Sequence, residues 1–227
     1  MTAAPVARFQ VPCFQPPRFG GRAFQTLPVG QTMHLSMERA DAALFRELLS
    51  KSSVYLEFGM GGSTLEAARA GVKRIYGVDS DHTWITRVQE AIKPIIEKSG
   101  TEVVIQYADI GPTREWGIPA SETIRPEWPR YFLDIWKQID VAPDLVLVDG
   151  RFRTACAVIA LLTCPPETKI AVHDFYDKLP LRKNYHRLLE LATVECKTDN
   201  LVVLKKDVSA AGFKAISVLA DVWNDFG

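Results

Sequence analysis

Short apolar runs with an acidic residue at or next to their last position alternate with helix-like segments along most of this sequence. VYLEF, RIYGVD, EVVIQYAD, LVLVDG and KIAVHD are each long enough for one strand, and helical spacing of apolar residues returns between them. This alternation predicts an α/β fold with a doubly wound, mostly parallel sheet covered by helices on both faces. Ligands of such sheets bind at the carboxyl ends of the strands. Those ends carry Glu57, Asp79, Asp109, Asp149 and His173-Asp174.

The composition restricts the class of protein. The chain has 227 residues, with 27 basic and 27 acidic side chains. A zero net charge argues against a nucleic-acid partner, which requires a basic face. No apolar stretch is long enough for a membrane span, and prolines interrupt the N-terminus where a signal peptide would have its apolar core. We therefore expect a cytoplasmic protein that binds neither nucleic acid nor membrane.

Residues 1–35 differ from the rest of the chain. They contain five of the 14 prolines, and four phenylalanines recur at five-residue intervals from Phe9 to Phe24, a period of neither helix nor strand. We predict an extended arm over residues 1–35, followed by a single α/β domain over residues 36–227. The arm either packs on its own domain, closes over a site, or reaches a second subunit and forms a homo-oligomer.

Three details of the helices can be predicted. The helix after the glycine-rich turn is expected from Leu65 to Ala70, and the next one, over residues 83–98, is expected to kink or break near Pro94. The last helix is expected to present one apolar face, formed by Phe213, Ile216, Ala220 and Trp223.

The glycine-rich turn from Gly59 to Thr64 follows a strand and opens a helix, so it offers close backbone approach and unpaired N–H groups. Thr64 stands where a dinucleotide fingerprint needs its third glycine, and no lysine follows to complete a phosphate loop. Glu57 would repel a pyrophosphate and suits a cationic ammonium group, unless it only caps the turn. Asp79 could accept hydrogen bonds from ribose hydroxyls or cap the following helix. A phosphate-free nucleoside with a cationic tail is S-adenosylmethionine.

Four segments together resemble the motifs of the class I S-adenosylmethionine-dependent methyltransferases. The segment 57–63 resembles the first motif, [DE]-x-G-x-G-x-G, with serine in place of the last glycine. The segments 76–79, 107–109 and 147–150 resemble the second, third and fourth motifs. The resemblance implies a Rossmann-like sheet of seven strands with an antiparallel last strand. It also implies S-adenosylmethionine as cofactor, with the methionine part held by Glu57, Gly59, Gly61 and Ser63, the ribose by Asp79 and the adenine by Asp109.

Candidate catalytic residues follow the fourth and fifth strands. Methyl transfer requires alignment of the acceptor with the S–CH3 bond and removal of a proton from a hydroxyl. Asp149-Gly150 followed by His173-Asp174 resembles small-molecule O-methyltransferases that use a divalent metal. In that interpretation Asp149 and Asp174 would bind Mg²⁺, and His173 would act as a base. His173 could instead be bonded only to Asp149 or to backbone.

Four further residues are candidates for acceptor binding. Arg151 and Arg153 suggest an anionic acceptor group, unless they form a surface salt bridge or a helix-start contact. The loop that contains Trp116 is either a lid whose indole stacks on the acceptor or a packed surface loop. Tyr176 follows the fifth strand end.

We therefore expect a methyltransferase that acts on an oxygen of a small polar or anionic molecule. One alternative is a non-catalytic cofactor-binding or assembly module on the same fold. Another is transfer of an aminopropyl group, which Arg151 and Arg153 disfavour because a polyamine acceptor needs a more acidic pocket.

Overall fold

Seven strands form one sheet in the order β3-β2-β1-β4-β5-β7-β6. The computed structural model describes residues 33–176, 184–209 and 212–226. β1 to β5 pair in parallel, whereas β7 is antiparallel to β5 and β6 is antiparallel to β7. The predicted fold class and the antiparallel ending are confirmed. The strands are β1 Val54–Phe58, β2 Arg74–Asp79, β3 Glu102–Tyr107, β4 Leu145–Val148, β5 Lys169–Val172, β6 Ala192–Lys197 and β7 Val202–Lys206.

Helices cover both faces of the sheet. Short 3-10 segments at Glu115–Gly117, Arg125–Glu127, Asp134–Lys137 and Tyr185–Glu190 lie in the connections. The α-helices are α1 Arg39–Ser50, α2 Gly62–Arg69, α3 His82–Ser99, α4 Pro129–Leu133, α5 Arg153–Thr163 and α6 Gly212–Val222.

Successive residues of β1 face opposite layers, because side chains alternate along a strand. Tyr55 packs in a buried cluster with residues of α1 and α2, including Phe45 and Ala67. Leu56 and Phe58 pack in the cluster of the other face, with residues of α4 and α5. This alternation turns Glu57 toward α2.

The helices depart from prediction in three places. α2 begins at Gly62, three residues before the predicted start, and the Gly61 N–H donates to Thr64 Oγ1 at 2.9 Å. α3 continues through Pro94, which is exposed, so that water can satisfy the carbonyl left without a donor. α6 buries Ala215, Val218 and Val222, whereas Phe213 and Ile216 are exposed. α3 therefore does not break at Pro94, and the face that α6 buries is not the apolar face predicted from Phe213, Ile216, Ala220 and Trp223.

The N-terminal arm lies almost wholly outside the described residues, and the same holds for its predicted part in a homo-oligomer. From Met33 onward the chain forms one compact unit. Within the described ranges, no helix combines the length and the hydropathy needed to cross a bilayer.

Candidate active site

The carboxyl ends of β1 to β5 meet at one edge of the sheet. Phe58 at the end of β1 pairs with Val78 of β2 and with Val148 of β4, on its two sides. The turns after these strands therefore start next to each other, where strand order reverses. The predicted candidates that follow these strands are Gly59, Asp79, Asp109, Asp149 and the pair His173-Asp174.

The glycine turn packs backbone to backbone against the turn after β4. Gly59 has φ +92°, and a Cβ added to it would lie 2.5 Å from Gly150 Cα. A Cβ on Gly150 would in turn lie 2.7 Å from Gly59 N and 2.2 Å from Tyr131 Oη. Neither position accepts a side chain, so this contact fixes the distance between the glycine turn and Asp149.

Glu57 supports the glycine turn from inside the protein. Its side chain is fully buried and accepts hydrogen bonds from Tyr55 Oη at 3.1 Å, Ser63 Oγ at 2.6 Å and Thr64 Oγ1 at 2.5 Å. Burial raises the pKa of Glu57 to about 8, against the lowering effect of these hydroxyls. Glu57 and Ser63 are thus bonded to each other beneath the turn, as expected if Glu57 caps it, and their direct contact with a ligand stays a prediction.

Glu57 should make stability depend on pH. Between its ordinary pKa of 4.5 and about 8 the carboxyl is protonated in the folded protein and ionised in the unfolded chain. The unfolding free energy should therefore fall as pH rises through this window, by at most ~1.4 kcal/mol per pH unit from this group. In urea titrations from pH 5 to pH 8, Glu57→Gln should lose this dependence, whereas the exposed-site control Glu90→Gln should keep it. Parallel curves for wild type and Glu57→Gln would contradict the assignment.

Asp79 is oriented by backbone donors at the end of β2. Its Oδ2 accepts from Met60 N at 3.0 Å, and its Oδ1 accepts from Ser80 N at 2.7 Å and from Asp81 N at 3.0 Å. Burial raises the pKa of Asp79 to about 6, although these N–H groups favour the ionised form. Asp81, rather than Asp79, caps α3 by accepting from Trp84 N. Asp79 therefore ties the glycine turn to β2 and remains partly exposed at the sheet edge.

Trp84 and Asp109 border this part of the edge. Trp84 Nε1 donates to the Met60 carbonyl at 2.7 Å, and the indole lies beside Gly61. Asp109 is exposed beyond β3 and accepts from Gly111 N at 2.9 Å. Asp109 is thus accessible to a ligand that lies across the ends of β2 and β3.

His173 lies among carboxylates. Its Nδ1 is 3.0 Å from Asp149 Oδ1 and 3.6 Å from Asp174 Oδ1, while its Nε2 is 3.9 Å from Asp41 Oδ2. Burial lowers the pKa of His173, but the hydrogen bond and charge of Asp149 outweigh it and the pKa is raised. Burial raises the pKa of Asp149, but Arg153 and His173 outweigh that effect and the pKa is lowered. The geometry favours an ionised Asp149 bonded to His173.

Arg153 is an internal ion-pair partner of this group. Its side chain is 5% exposed, with Nη1 3.0 Å from Asp174 Oδ2 and Nη2 3.2 Å from Asp149 Oδ1. Its Nε donates to the Gly150 carbonyl at 2.9 Å, and Nη1 also donates to the His173 carbonyl at 2.8 Å. These donors are directed at the protein's own oxygens, which agrees with the alternative of a helix-start contact rather than with a clamp on an acceptor anion.

The predicted magnesium site can be tested against these contacts. Ligand atoms of Asp149, His173 and Asp174 lie within 4.8 Å of one another. Mg²⁺ needs near-octahedral oxygen ligands at about 2.0–2.1 Å. Here a buried guanidinium bridges the two carboxylates and His173 bonds to one of them. The donor set does not fit Mg²⁺ while Arg153 is in place, and the predicted metal role of Asp149 and Asp174 is not supported.

Arg151 and Trp116 lie on the outer side of the same edge. Arg151 is half-buried; its N–H donates to Tyr131 Oη at 3.2 Å and its Nη1 donates to the Phe226 carbonyl at 3.3 Å. Trp116 is 84% exposed at the tip of a short hairpin, closed by a bridge between Thr113 and Pro119.

The tip of this hairpin lies over the strand ends. A Cβ on Gly117 would be 3.7 Å from Ser80 Oγ and 3.8 Å from Arg151 Cγ. Trp116 itself has φ +62°, a left-handed conformation uncommon outside glycine. Tyr176 is 44% exposed beyond β5, and Lys197 Nζ lies 5.1 Å from the centre of its ring. The structure thus leaves Trp116 and Tyr176 accessible near the candidate catalytic residues.

Sequence reasoning missed Asp41 and Tyr131. Asp41 is fully buried on α1, where its Oδ1 accepts from Asn200 N at 3.1 Å and Leu201 N at 3.2 Å. Its place in the helical series with Phe45 and Leu49 was a usable signal, because an acid in a buried apolar stripe requires a specific partner. Tyr131 offers no such signal, since its role depends on contact with Gly150.

Comparison with known proteins gives structural neighbours only. No protein-family model matches the sequence, and no curated protein matches it significantly. A methyltransferase-like protein from Silicibacter pomeroyi is similar in structure, with TM-score 0.72 and 29% identity over 85% of this chain and 97% of that one. A methyltransferase from Geobacter sulfurreducens, 12% identical, has TM-score 0.51 over 75% of this chain and 79% of its own. A proposed rRNA methylase from Clostridium thermocellum, 13% identical, has TM-score 0.50 over 76% and 100% of the two chains.

Proposed function

We propose that this protein is a class I S-adenosylmethionine-dependent methyltransferase, as its fold and the order of its motifs indicate, and that it methylates an oxygen atom of a small polar or anionic molecule. The observation that carries this proposal is the contact between Gly59 and Gly150. It holds the glycine turn next to Asp149, so that a cofactor bound on the turn would lie close to the pair formed by Asp149 and His173.

The cofactor is held mainly by the ends of β1, β2 and β3 in this proposal. The methionine part lies against the turn at Gly59 and Gly61, whose shape depends on Glu57 and Ser63 beneath it. Helix α2 directs its N-terminal N–H groups toward the same turn, where they suit a carboxylate. Asp79 accepts hydrogen bonds from the ribose hydroxyls. Asp109 accepts from the adenine amino group.

Asp79 predicts a pH dependence of cofactor binding. A protonated carboxyl is a weaker acceptor for ribose hydroxyls, and the pKa of Asp79 is raised to about 6. The affinity for S-adenosylhomocysteine, measured by calorimetry, should fall by about tenfold on going from pH 7.5 to pH 5. Asp79→Asn should bind weakly at both pH values, whereas Asp81→Asn keeps the cap of α3 and should behave as wild type. An unchanged affinity in Asp79→Asn would contradict the ribose assignment.

Asp149 and His173 form the proposed proton-accepting pair. S-adenosylmethionine, when bound, would supply a methyl group on a positively charged sulfur, and that sulfur would keep the electron pair of the C–S bond when the methyl group is transferred to the acceptor oxygen. The hydroxyl proton would pass to the hydrogen-bonded pair of Asp149 and His173, whose facing atoms lie 3.0 Å apart. Asp174 supports the pair through Arg153. No step requires a metal ion.

The acceptor lies between Asp149 and the outer residues. Arg151 offers positive charge at the rim, which suits an anionic substituent. Trp116 and Tyr176 offer exposed ring faces, which suit stacking on a flat acceptor. These three residues support a small molecule with both a hydroxyl and an anionic or aromatic part.

Transfer of labelled methyl groups tests this function. Wild type incubated with methyl-labelled S-adenosylmethionine and a cell extract should label the small-molecule fraction. Label in the RNA fraction instead would contradict the acceptor class. Binding of S-adenosylhomocysteine without any label transfer would contradict catalysis and match a cofactor-binding module.

A further inference from the structure

We infer that the guanidinium of Arg153 occupies the position between Asp149 and Asp174 that a divalent metal ion would need. Arg153 is then the cation of the cluster formed by Asp149, Arg153, His173 and Asp174, and the protein works without a divalent ion. The consequence for methyl transfer rests on the proposed function. The exclusion of the metal rests only on the contacts of the cluster. The two parts are therefore tested by different measurements.

The guanidinium of Arg153 contacts four oxygen atoms, two from carboxylates and two from backbone carbonyls. Two of its nitrogens lie 3.0 Å from Asp174 Oδ2 and 3.2 Å from Asp149 Oδ1. Two backbone carbonyls, those of Gly150 and His173, accept from it at 2.9 and 2.8 Å. These carbonyls and carboxylates are hard oxygen ligands, which Mg²⁺ would otherwise bind. A planar guanidinium can hold them together at hydrogen-bond length, whereas a metal ion would require them to converge at about 2 Å.

The guanidinium cannot readily leave this position. Arg153 is the first residue of α5, and the preceding Phe152 is fully buried with φ +54°. The Phe152 ring packs against Trp128, Tyr131 and Phe132 at centroid distances of 5.4, 5.5 and 6.2 Å. The backbone at the start of α5 is therefore fixed, and the side chain extends from it through a buried path.

A divalent ion next to this guanidinium would also meet like charge. The Arg153 side chain is 5% exposed, whereas those of Asp149 and Asp174 are 25% and 24% exposed. An ion that approached the carboxylates from solvent would remain within a few ångströms of the buried positive charge. Repulsion at this distance is weakly screened, since little water separates the two charges. The single buried cation thus replaces the ion and leaves part of Asp149 accessible to an acceptor.

Metal binding can be measured directly with Mn²⁺, whose free form is quantified by electron paramagnetic resonance. Wild type should leave millimolar Mn²⁺ unbound at this cluster, and its melting temperature should not change with Mg²⁺, Mn²⁺ or a chelator. Arg153→Met removes the charge at similar volume, so it should bind Mn²⁺ at least tenfold more tightly than wild type and melt higher in its presence. Arg153→Lys keeps the charge and should not gain binding. Arg153→Met/Asp174→Asn should lose the gain.

Two results would overturn the inference. One is Mn²⁺ binding to wild type that disappears in Asp174→Asn. The other is a folded Arg153→Met that gains no Mn²⁺ affinity. If Arg153→Met does not fold, the inference is decided by the Mn²⁺ titrations of wild type and of Asp174→Asn alone. None of these readouts requires methyl transfer, so a failure of the proposed function would leave them interpretable.

Discussion

Gly59→Ala should abolish detectable binding of S-adenosylhomocysteine and lower the melting temperature by roughly 10 °C. The new Cβ would lie 2.5 Å from Gly150 Cα, and both partners are backbone atoms that cannot rotate away. The left-handed φ of +92° adds strain of about 1 kcal/mol or more. Separation of the two turns would displace the methionine subsite from Asp149. Calorimetry and thermal melting check both effects.

Gly71→Ala is the matched control for Gly59→Ala. Gly71 also has positive φ, +78°, but a Cβ there has no atom within 4 Å. Its substitution should cost only the backbone strain, about 1 kcal/mol and a few degrees, with unchanged cofactor affinity. Equal losses in the two variants would contradict the assignment of Gly59 to the contact between the turns.

Asp149→Asn should reduce methyl transfer by about 10²- to 10⁴-fold while cofactor affinity stays within about threefold of wild type. The amide removes the carboxylate from the proton-accepting pair, and it leaves Arg153 and His173 without their shared negative partner. The rate is read from label transferred to the small-molecule fraction, and the affinity from titration with S-adenosylhomocysteine. Because removal of a buried charge partner also lowers stability, the assay should be run well below the melting temperature.

Asp134→Asn serves as the control for Asp149→Asn. Among the residues that the structure describes, Asp134 pairs with Lys137 on a 3-10 segment outside the candidate site, so its loss should leave transfer unchanged. Asp149→Asn with full activity would remove Asp149 from the chemistry. A parallel loss of affinity and rate would place it in cofactor binding instead.

The strands could be predicted because they depend on local sequence, whereas the antiparallel last strand was expected only from the family resemblance. β3, Glu102–Tyr107, lies within the predicted run EVVIQYAD, and the ends of β1, β2 and β4 are marked by an acid or by glycine. The spacing of apolar residues and the residues that form turns both lie within a few positions of the strand that they predict. The start of α2 was missed because it depends on the bond from Gly61 N to Thr64 Oγ1. Leu65 is only the first apolar residue of that helix.

The roles of site residues could be predicted only in part. That Glu57, Asp149 and His173 lie at strand ends follows from the sequence, whereas the direction of each side chain does not. Glu57 faces inward because it shares the side of β1 with Tyr55, and Arg153 faces inward because α5 starts at a buried aromatic cluster. Both outcomes depend on contacts between distant segments. The same holds for Asp41, which reaches His173 from α1.

Titration of S-adenosylhomocysteine into the wild-type protein by isothermal calorimetry tests the central claim most directly. The account predicts saturable binding of one molecule per chain with a micromolar dissociation constant, and no binding to Gly59→Ala. A folded wild-type protein that gives no heat of binding at high micromolar ligand would contradict the account.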